Sequence, residues 1–388
     1  MPLAVYVLGL GIFALTTSEY MVSGLMPALS AEFEVSFAAV GYLVTVYAGA
    51  MAVGGPLLTV ALLKMSRKTA LLGLVAVFVV GQVLGAVAQG YGTMVVARLV
   101  TAVAAAAFFG VALTACAELV GGEKFARASS LVLGGLMFGT VLGLPAATLI
   151  GERFGWRVSF LVVAGVALAV GLLLVKALPA MPAPPPMPMA GQLAIFRSGK
   201  LWAIYATSLL LIGATFAGFT YFVPILTEVS GFSAGVVPVL LVVYGVATIV
   251  GNNVVGRLAD RFTIQVLVVG LVVAVAAMVL FALFAQSAVV AVLALVVIGL
   301  TGVSMNPALV TRGARVGQNN MLVNSVHTAC IMLGVMVGSW IGGLGLNWGT
   351  GLRGPLWIGA ALGVLGLLTL VPDALALRRR PAPVADQA

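Results

Sequence analysis

Charge is what this sequence has least of: 7% of its 388 residues are Asp, Glu, Lys or Arg, where a soluble domain carries about 25%. With 62% hydrophobic residues and a mean hydropathy of +1.23, the chain cannot clothe a globule in polar groups, which excludes a water-soluble fold. Cysteine is nearly absent too. Cys116 and Cys330 sit in apolar runs far from metal-ligand spacing, so no disulfide framework and no metal site are expected, and both read as small packing residues. No phosphate-binding Gly-Lys-Ser/Thr loop occurs, so ATP is not the fuel and no cofactor is expected.

What is there instead is apolar length. A membrane-spanning helix needs about 20 apolar residues, and a barrel strand would alternate apolar and polar positions. Runs such as Leu71 to Ala88 and Val266 to Ala285 show no alternation, so the spans are helical. They are expected near 3–29, 37–62, 69–89, 92–119, 128–151, 157–178, 201–227, 235–258, 264–286, 288–310, 321–346 and 354–372, twelve in all.

The formal charge of +9 reads as membrane orientation rather than nucleic-acid binding. With the N-terminus cytoplasmic, the inner side receives fifteen of the nineteen Lys and Arg residues, from Lys64, Arg67 and Lys68 to Arg378, Arg379 and Arg380. The outer side receives Arg153, Arg157 and Arg353, and Arg98 stays within a span. A multi-pass cell-membrane protein with both termini cytoplasmic follows. No cleavable signal is expected, because the first span outruns a signal peptide's apolar region and lacks a basic flank.

One compositional break interrupts the spans. Ala177 to Pro188 is too rich in proline to stay helical and reads as an extended cytoplasmic linker. Sliding the second part of the chain over the first by 197 residues superposes Pro27 on Pro224, Ser36 on Ser233, Val46-Tyr47 on Val243-Tyr244 and Gly73-Leu-Val75 on Gly270-Leu-Val272 without a gap. This is an internal repeat. The expected organisation is a six-helix half (1–178), a Pro-rich linker (179–198), a second six-helix half (199–376) and a basic tail (377–388). Two such halves in one orientation form a rocking transporter with its substrate between them near the midplane.

A glycine ridge repeats as well. Gly135, Gly139, Gly143, Ala147 and Gly151 recur every fourth residue in the fifth span, and Gly334, Gly338 and Gly342 do so 199 residues after the first three. Such a face allows close helix approach. Both helices are expected at the moving interface, with static packing as the alternative for any single glycine.

These residues resemble the major facilitator superfamily, and within it the twelve-span drug:proton antiporters grouped with chloramphenicol-resistance and arabinose-efflux-like proteins. Leu15-Thr-Thr-Ser-Glu-Tyr20 through Gly24-Leu-Met-Pro27 is similar to that family's first span with its embedded acid. Gly134 to Gly151, followed by Gly155-Trp-Arg157 and Phe160, resembles its antiporter signature, which makes Gly135, Gly139, Gly143 and Pro145 the antiporter-motif helix. Ala214 to Pro224 and Gly256-Arg-Leu-Ala-Asp-Arg261 resemble its seventh span and cytoplasmic gating loop, with an ion pair implied among Arg257, Asp260 and Arg261. The first-half loop, Ala61 to Lys68, departs by having no acid. The fourth span keeps Arg98 but has Ala102 to Ala107 where polar and glycine positions often follow.

Polar groups at membrane depth are costly and so mark function. Glu19 is the clearest: a charge at a helix centre costs about 2.5–3.5 kcal/mol on insertion scales, and the repeat places Phe216 at its position. Thr16 and Ser23 share its face and extend a cavity-lining stripe. Glu19 would exchange a proton for substrate; a structural acid is the alternative. Arg98, with Thr101 a turn further on, is its natural counter-charge, or else a snorkelling or hydrogen-bonding centre. His327, the single histidine, lies by Asn320, Asn324 and Thr328 and is a proton relay, a substrate contact or a packing residue. Pro307 should kink the tenth span beside Asn306, where Thr301, Ser304 and Thr311 share a face. Asn252, Asn253 and Tyr221 complete the candidate substrate contacts.

The expected molecule is therefore an all-α membrane protein with the major facilitator fold: twelve transmembrane helices in two pseudo-symmetric six-helix halves, working as a monomer. Its partners are a small-molecule substrate, protons and the lipid bilayer, with no nucleic acid. The expected function is proton-coupled drug efflux by alternating access. A sugar, nucleoside or metabolite exporter is the alternative within the fold, and a membrane-embedded enzyme or signalling scaffold the alternative outside it.

Overall fold

The structure, a computed structural model, describes residues 1–62, 65–179, 181, 196–317 and 321–378. Most of the expected linker and residues 379–388 of the expected tail lie outside the described residues, as does Asn320. Among the described residues there is no strand. Eleven helical stretches are long and apolar enough to cross a bilayer, one of them the 50-residue Ala234–Leu283. A helix of that length would reach about 75 Å, more than twice the hydrocarbon core. It breaks at Phe262 (φ −124°, ψ 36°), so it makes two crossings and the total is twelve.

In chain order the spans are α1 (Leu3–Gly24), α2 (Phe37–Ala61), α3 (Arg67–Ala86), α4 (Tyr91–Val120), α5 (Gly122–Phe138, continued by Gly139–Gly143 and Leu144–Phe154) and α6 (Trp156–Ala177). The second half has α7 (Gly199–Phe219), α8 and α9 on either side of Phe262 within Val237–Leu283, α10 (Ala288–Thr301, resumed at Asn306–Gly317), α11 (Met321–Gly345) and α12 (Gly354–Arg378). α12 overruns its expected end at 372.

Proline sets the irregularities, because each one leaves the carbonyl four residues earlier without its donor. α1 breaks at Leu25 (φ −96°, ψ 6°) and restarts as Met26–Phe33 with Pro27 in its first turn. α7 breaks within one residue of the repeat-equivalent place, at Tyr221 (φ −110°, ψ 10°), shortly before Pro224. Pro145 cannot donate to Val141, and α5 widens there into a π-turn over Gly139–Gly143. The break in α10 lies at Gly302 (φ −86°, ψ −111°), with Asn306-Pro307 opening the next helical segment, so the irregularity precedes the proline that causes it.

The glycine ridges face inward, each toward the first helix of its own half. A Cβ on Gly135 would overlap the Gly9 carbonyl of α1, Gly139 packs on Thr16, Gly143 on Thr17 and Gly151 on Leu25. In the second half a Cβ on Gly334 would lie 2.6 Å from the Leu209 carbonyl oxygen, Gly338 packs on Gly213, and a Cβ on Gly342 would lie 2.8 Å from the Ala217 carbonyl oxygen. Other faces of the same two helices meet the opposite half, α11 against α2 at Met336 and Gly49 and α5 against α8 at Val141 and Gly245. The ridge glycines themselves pack statically, binding α5 to α1 and α11 to α7. Lipid tails give apolar side chains no reason to prefer each other, so backbone contact of this kind is what holds a half together.

Gly338→Val should therefore overpack α7 against α11 at a cost of about 1–3 kcal/mol. The expected outcome is a clear loss of monodisperse protein after heating in detergent, read by size-exclusion chromatography, while Gly73→Val, with nothing within 4 Å of its Cβ, behaves as wild type.

Candidate functional site

A polar cluster lies buried in the first half where α1, α2, α3 and α4 meet. Arg98 on α4 is 1% exposed, and its guanidinium reaches the main chain of α1: Nη1 donates to the Ser18 carbonyl (2.7 Å) and to Ser18 Oγ (3.2 Å), and Nη2 donates to the Glu19 carbonyl (3.1 Å). The planar fork also stacks 4.0 Å from the centroid of the Tyr47 ring on α2. From α3, the Gln82 amide donates to Ser18 Oγ. Glu19 is buried beside them, with Arg98 and Tyr47 in electrostatic reach.

Arg98 is thus the charged neighbour of Glu19 without being the hydrogen-bonded partner of its carboxylate. The arginine binds the backbone of Glu19, and among the described residues the carboxylate makes no hydrogen bond or ion pair. Nor is the acid sealed in: it is not among the side-chain atoms that are shut away without a partner, unlike the hydroxyl of Thr16. Thr16, Glu19 and Ser23 are all buried, but Thr16 is closed off beneath Gly139 and lines no open space. Thr101 likewise spends its hydroxyl on the Ala97 and Arg98 carbonyls and packs against Gly81 of α3.

The second-half candidates scatter. His327 is buried, its Nε2 2.7 Å from Ser208 Oγ and its ring stacked on Tyr205 at 5.6 Å, so it takes up the packing position among the alternatives set out for it, remote from Glu19's neighbours. Asn252 shares a helix face with Gly245, which meets Val141 of α5; Asn253 points outward with the exposed Val246, Val250 and Val254, its amide bonded to the Ile249 carbonyl. Asn306 Oδ1 and Ser304 Oγ are shut in at the α10 break without partners. Asn324 is exposed on α11. The implied ion pair in the α8–α9 loop is absent among the described residues: Arg257, Asp260 and Arg261 are exposed, the Asp260 carbonyl accepts from Arg315, and Arg261 lies over Phe262.

Ion pairs do form nearby, where sequence reasoning missed them. Arg67 at the start of α3 pairs with Glu118 at the end of α4 (3.2 Å), supplying from another helix the acid that the first-half loop lacks. Arg312 on α10 pairs with Asp373 on α12 (2.7 Å) and donates to Thr207 on α7 (2.7 Å). Both pairs stay within one half. Gln82 was also missed, although an amide alone in the run from Leu71 to Ala88 was a usable signal.

The halves touch at one end only. Away from the termini, Tyr221 fills the space over Gly41 of α2 and Gly343 of α11, with its hydroxyl donating to the Ser339 carbonyl (2.9 Å). It is a plug between halves rather than a cavity wall. Thr45 Oγ1 lies 2.9 Å from Ser339 Oγ, the one hydrogen bond between the halves among the described residues. Tyr20 meets Phe216 and Phe219 at 6.0 and 5.7 Å. Toward the termini the same faces part: Val53 and Leu57 continue the Gly41, Thr45 and Gly49 line of α2 at 61% and 66% exposed, and Ser325 and Thr328 are exposed on α11.

Known proteins match this arrangement over nearly its full length. The model of the Major Facilitator Superfamily matches residues 8–317. The chain belongs to that superfamily. A chloramphenicol resistance protein of Streptomyces lividans is 32% identical over 96% of each chain, and a probable sugar efflux transporter of Helicobacter pylori 26% over 94% of each. The crystal structure of a bacterial homolog of the human lysosomal transporter Spinster, inward-facing and unoccupied, superposes with a TM-score of 0.77 at 16% identity over 98% of both chains, which fixes the fold. This facilitator is thus a multi-pass membrane transporter with its halves closed at the end remote from its termini.

A Cβ on Gly41 would collide with the Tyr221 hydroxyl, so Gly41→Ala should unseat the plug. Spin labels at Val53 and Thr328, one on each half at the open end, are expected to shift mostly to a shorter separation in that variant, read by pulsed dipolar spectroscopy, because freeing the far end lets the open end close.

Proposed function

We propose that this facilitator exports small drugs of the chloramphenicol type in exchange for protons, with Glu19 as the coupling group. The observation that carries this reading is the state of that carboxylate: at membrane depth, unpaired, not sealed in, and beside an arginine committed to the main chain. A buried acid that serves only architecture would take a partner, since an unpaired charge in hydrocarbon is costly. Held as it is, Glu19 has a neutral form that needs no partner and a charged form that Arg98 stabilises, so small changes in its surroundings move the proton on or off. Tyr20, its chain neighbour, touches α7 of the other half, so the acid lies where closure of one end or the other changes what it faces.

The positive-inside bias supports cytoplasmic termini in a cell membrane, with fifteen of nineteen basic residues on that side. The open end then faces the cytoplasm, ready to load cargo. Protonation of Glu19 from outside would accompany cargo release, and a monomer with two halves is sufficient for the cycle. The name of the S. lividans relative supports a drug as cargo. That of the H. pylori relative supports a sugar instead, on the same machinery.

The test is transport in proteoliposomes under an imposed pH gradient, with chloramphenicol and a labelled pentose offered in parallel. Glu19→Gln should abolish gradient-driven chloramphenicol movement, by at least an order of magnitude, while leaving exchange of labelled for unlabelled cargo intact. Pentose movement without chloramphenicol movement would replace the drug with a sugar, and gradient-driven transport undiminished in Glu19→Gln would remove the carboxylate from the mechanism.

A further inference from the structure

Gln82 is the only side chain with hydrogen-bonding groups between Leu71 and Ala88, and it is fully buried. Burying an amide is costly unless it is bonded, and here only half of it is: Nε2 donates to Ser18 Oγ, while Oε1 has no partner. Packing does not call for it, because the repeat places Val279 at the equivalent position. In the same register Glu19 corresponds to Phe216 and Arg98 to Leu295, so three polar side chains were placed together in the first half where the second half has apolar ones. Tyr47, by contrast, corresponds to Tyr244 and belongs to the shared scaffold.

Ser18 Oγ sits between the two donors, accepting from Gln82 Nε2 on one side and Arg98 Nη1 on the other. The amide therefore fixes the rotamer of Ser18, and Ser18 fixes where the guanidinium docks. With the fork held on the Ser18 and Glu19 carbonyls, both Nη nitrogens bond the main chain of α1 and not the carboxylate, while Nε is buried without a partner. We propose that Gln82 is a positioning residue for Glu19, acting through Ser18 to keep Arg98 on the main chain and off the carboxylate. This rests on Glu19 being the coupling group. The groups facing Glu19 are Arg98 from α4 and Tyr47 from α2, with Tyr20 on its own helix and Tyr244 of α8 behind Tyr20; among the described residues no other charged side chain faces it from α5, α6 or α7.

The experiment needs no cargo. Infrared difference spectra of the full chain in lipid, over a series of pH values, follow the carboxyl band that disappears in Glu19→Gln. In Gln82→Val, the residue the repeat supplies, the midpoint of that band should move by about one pH unit, a tenfold change in proton affinity. Ser18→Ala should move it the same way, and the double variant no further than the larger single change, because both act through one contact. If Gln82→Val yields no monodisperse protein, Gln82→Asn, too short to reach Ser18, carries the same comparison. A midpoint that stays put in the Gln82 variant overturns the proposal, as does strict additivity in the double variant. Failure of the coupling reading looks different: Glu19→Gln would still transport under a pH gradient although the midpoint had moved, and a wild type with no Glu19 band at any pH would overturn both.

Discussion

Inside a bilayer no water is at hand to complete a broken hydrogen bond, and this facilitator is organised around that shortage. Arg98 meets it by taking two main-chain carbonyls and the Ser18 hydroxyl from α1 and a tyrosine face from α2. Arg312 meets it with Asp373 and Thr207, joining α10, α12 and α7. His327 meets it with Ser208, and most buried Thr and Ser hydroxyls meet it by bonding the carbonyl four residues back, as Thr148, Thr215 and Thr248 do. Against that background Glu19 is conspicuous, because its charged neighbour bonds the main chain of α1 and not the carboxylate.

The same shortage explains why each half is rigid. With no hydrophobic gain in pressing one apolar helix on another, close packing must come from backbone contact, and the ridges on α5 and α11 supply it against α1 and α7. Proline works with glycine there. The carbonyls freed by Pro27, Pro145 and Pro224 put breaks or a π-turn into three of these four helices, letting them bend while their glycines stay in contact. Contacts between the halves gather away from the termini, where Thr45 and Ser339 share a hydrogen bond, Tyr221 fills the space over Gly41 and α5 meets α8 at Val141 and Gly245, and both termini-side ion pairs are confined within their own half. Two stiff bodies joined at one rim can rock as units.

Sequence alone carried the fold far because its signals are one-dimensional. Span length follows from bilayer thickness, and the 197-residue register of Pro27 and Pro224 showed the repeat, whereas the breaks that α1 and α7 make just ahead of those prolines emerged only in the structure. What stayed hidden depends on direction around a helix axis and on partners distant in the chain. Spacing by four put Gly135 and Gly139 on one face but did not say which neighbour that face meets. Arg67 lacked an acid in its loop, yet Glu118 stood 51 residues away at the end of another helix. Tyr221 looked like a cavity residue because it is polar and at depth; only the packing of Gly41 and Gly343 beneath it shows that it seals the halves.

The repeat also separates scaffold from chemistry. Where the halves agree, as in Pro27 with Pro224, the glycine ridges and Tyr47 with Tyr244, the shared residues shape and hold helices. Where they disagree in polarity, the polar member falls in the first half at Glu19, Gln82 and Arg98, and these three gather around one serine. The second half places its own polar contacts elsewhere, Arg312 with Asp373 and His327 with Ser208, in positions that tie its helices together. On the proposed reading, with Glu19 as the coupling group, the titrating group sits on one of two rocking bodies so that the other can cover and uncover it; acids in both would bring two charges together at each closure. The asymmetry of Glu19 and Phe216 is then what would let a duplicated scaffold couple a proton to its motion.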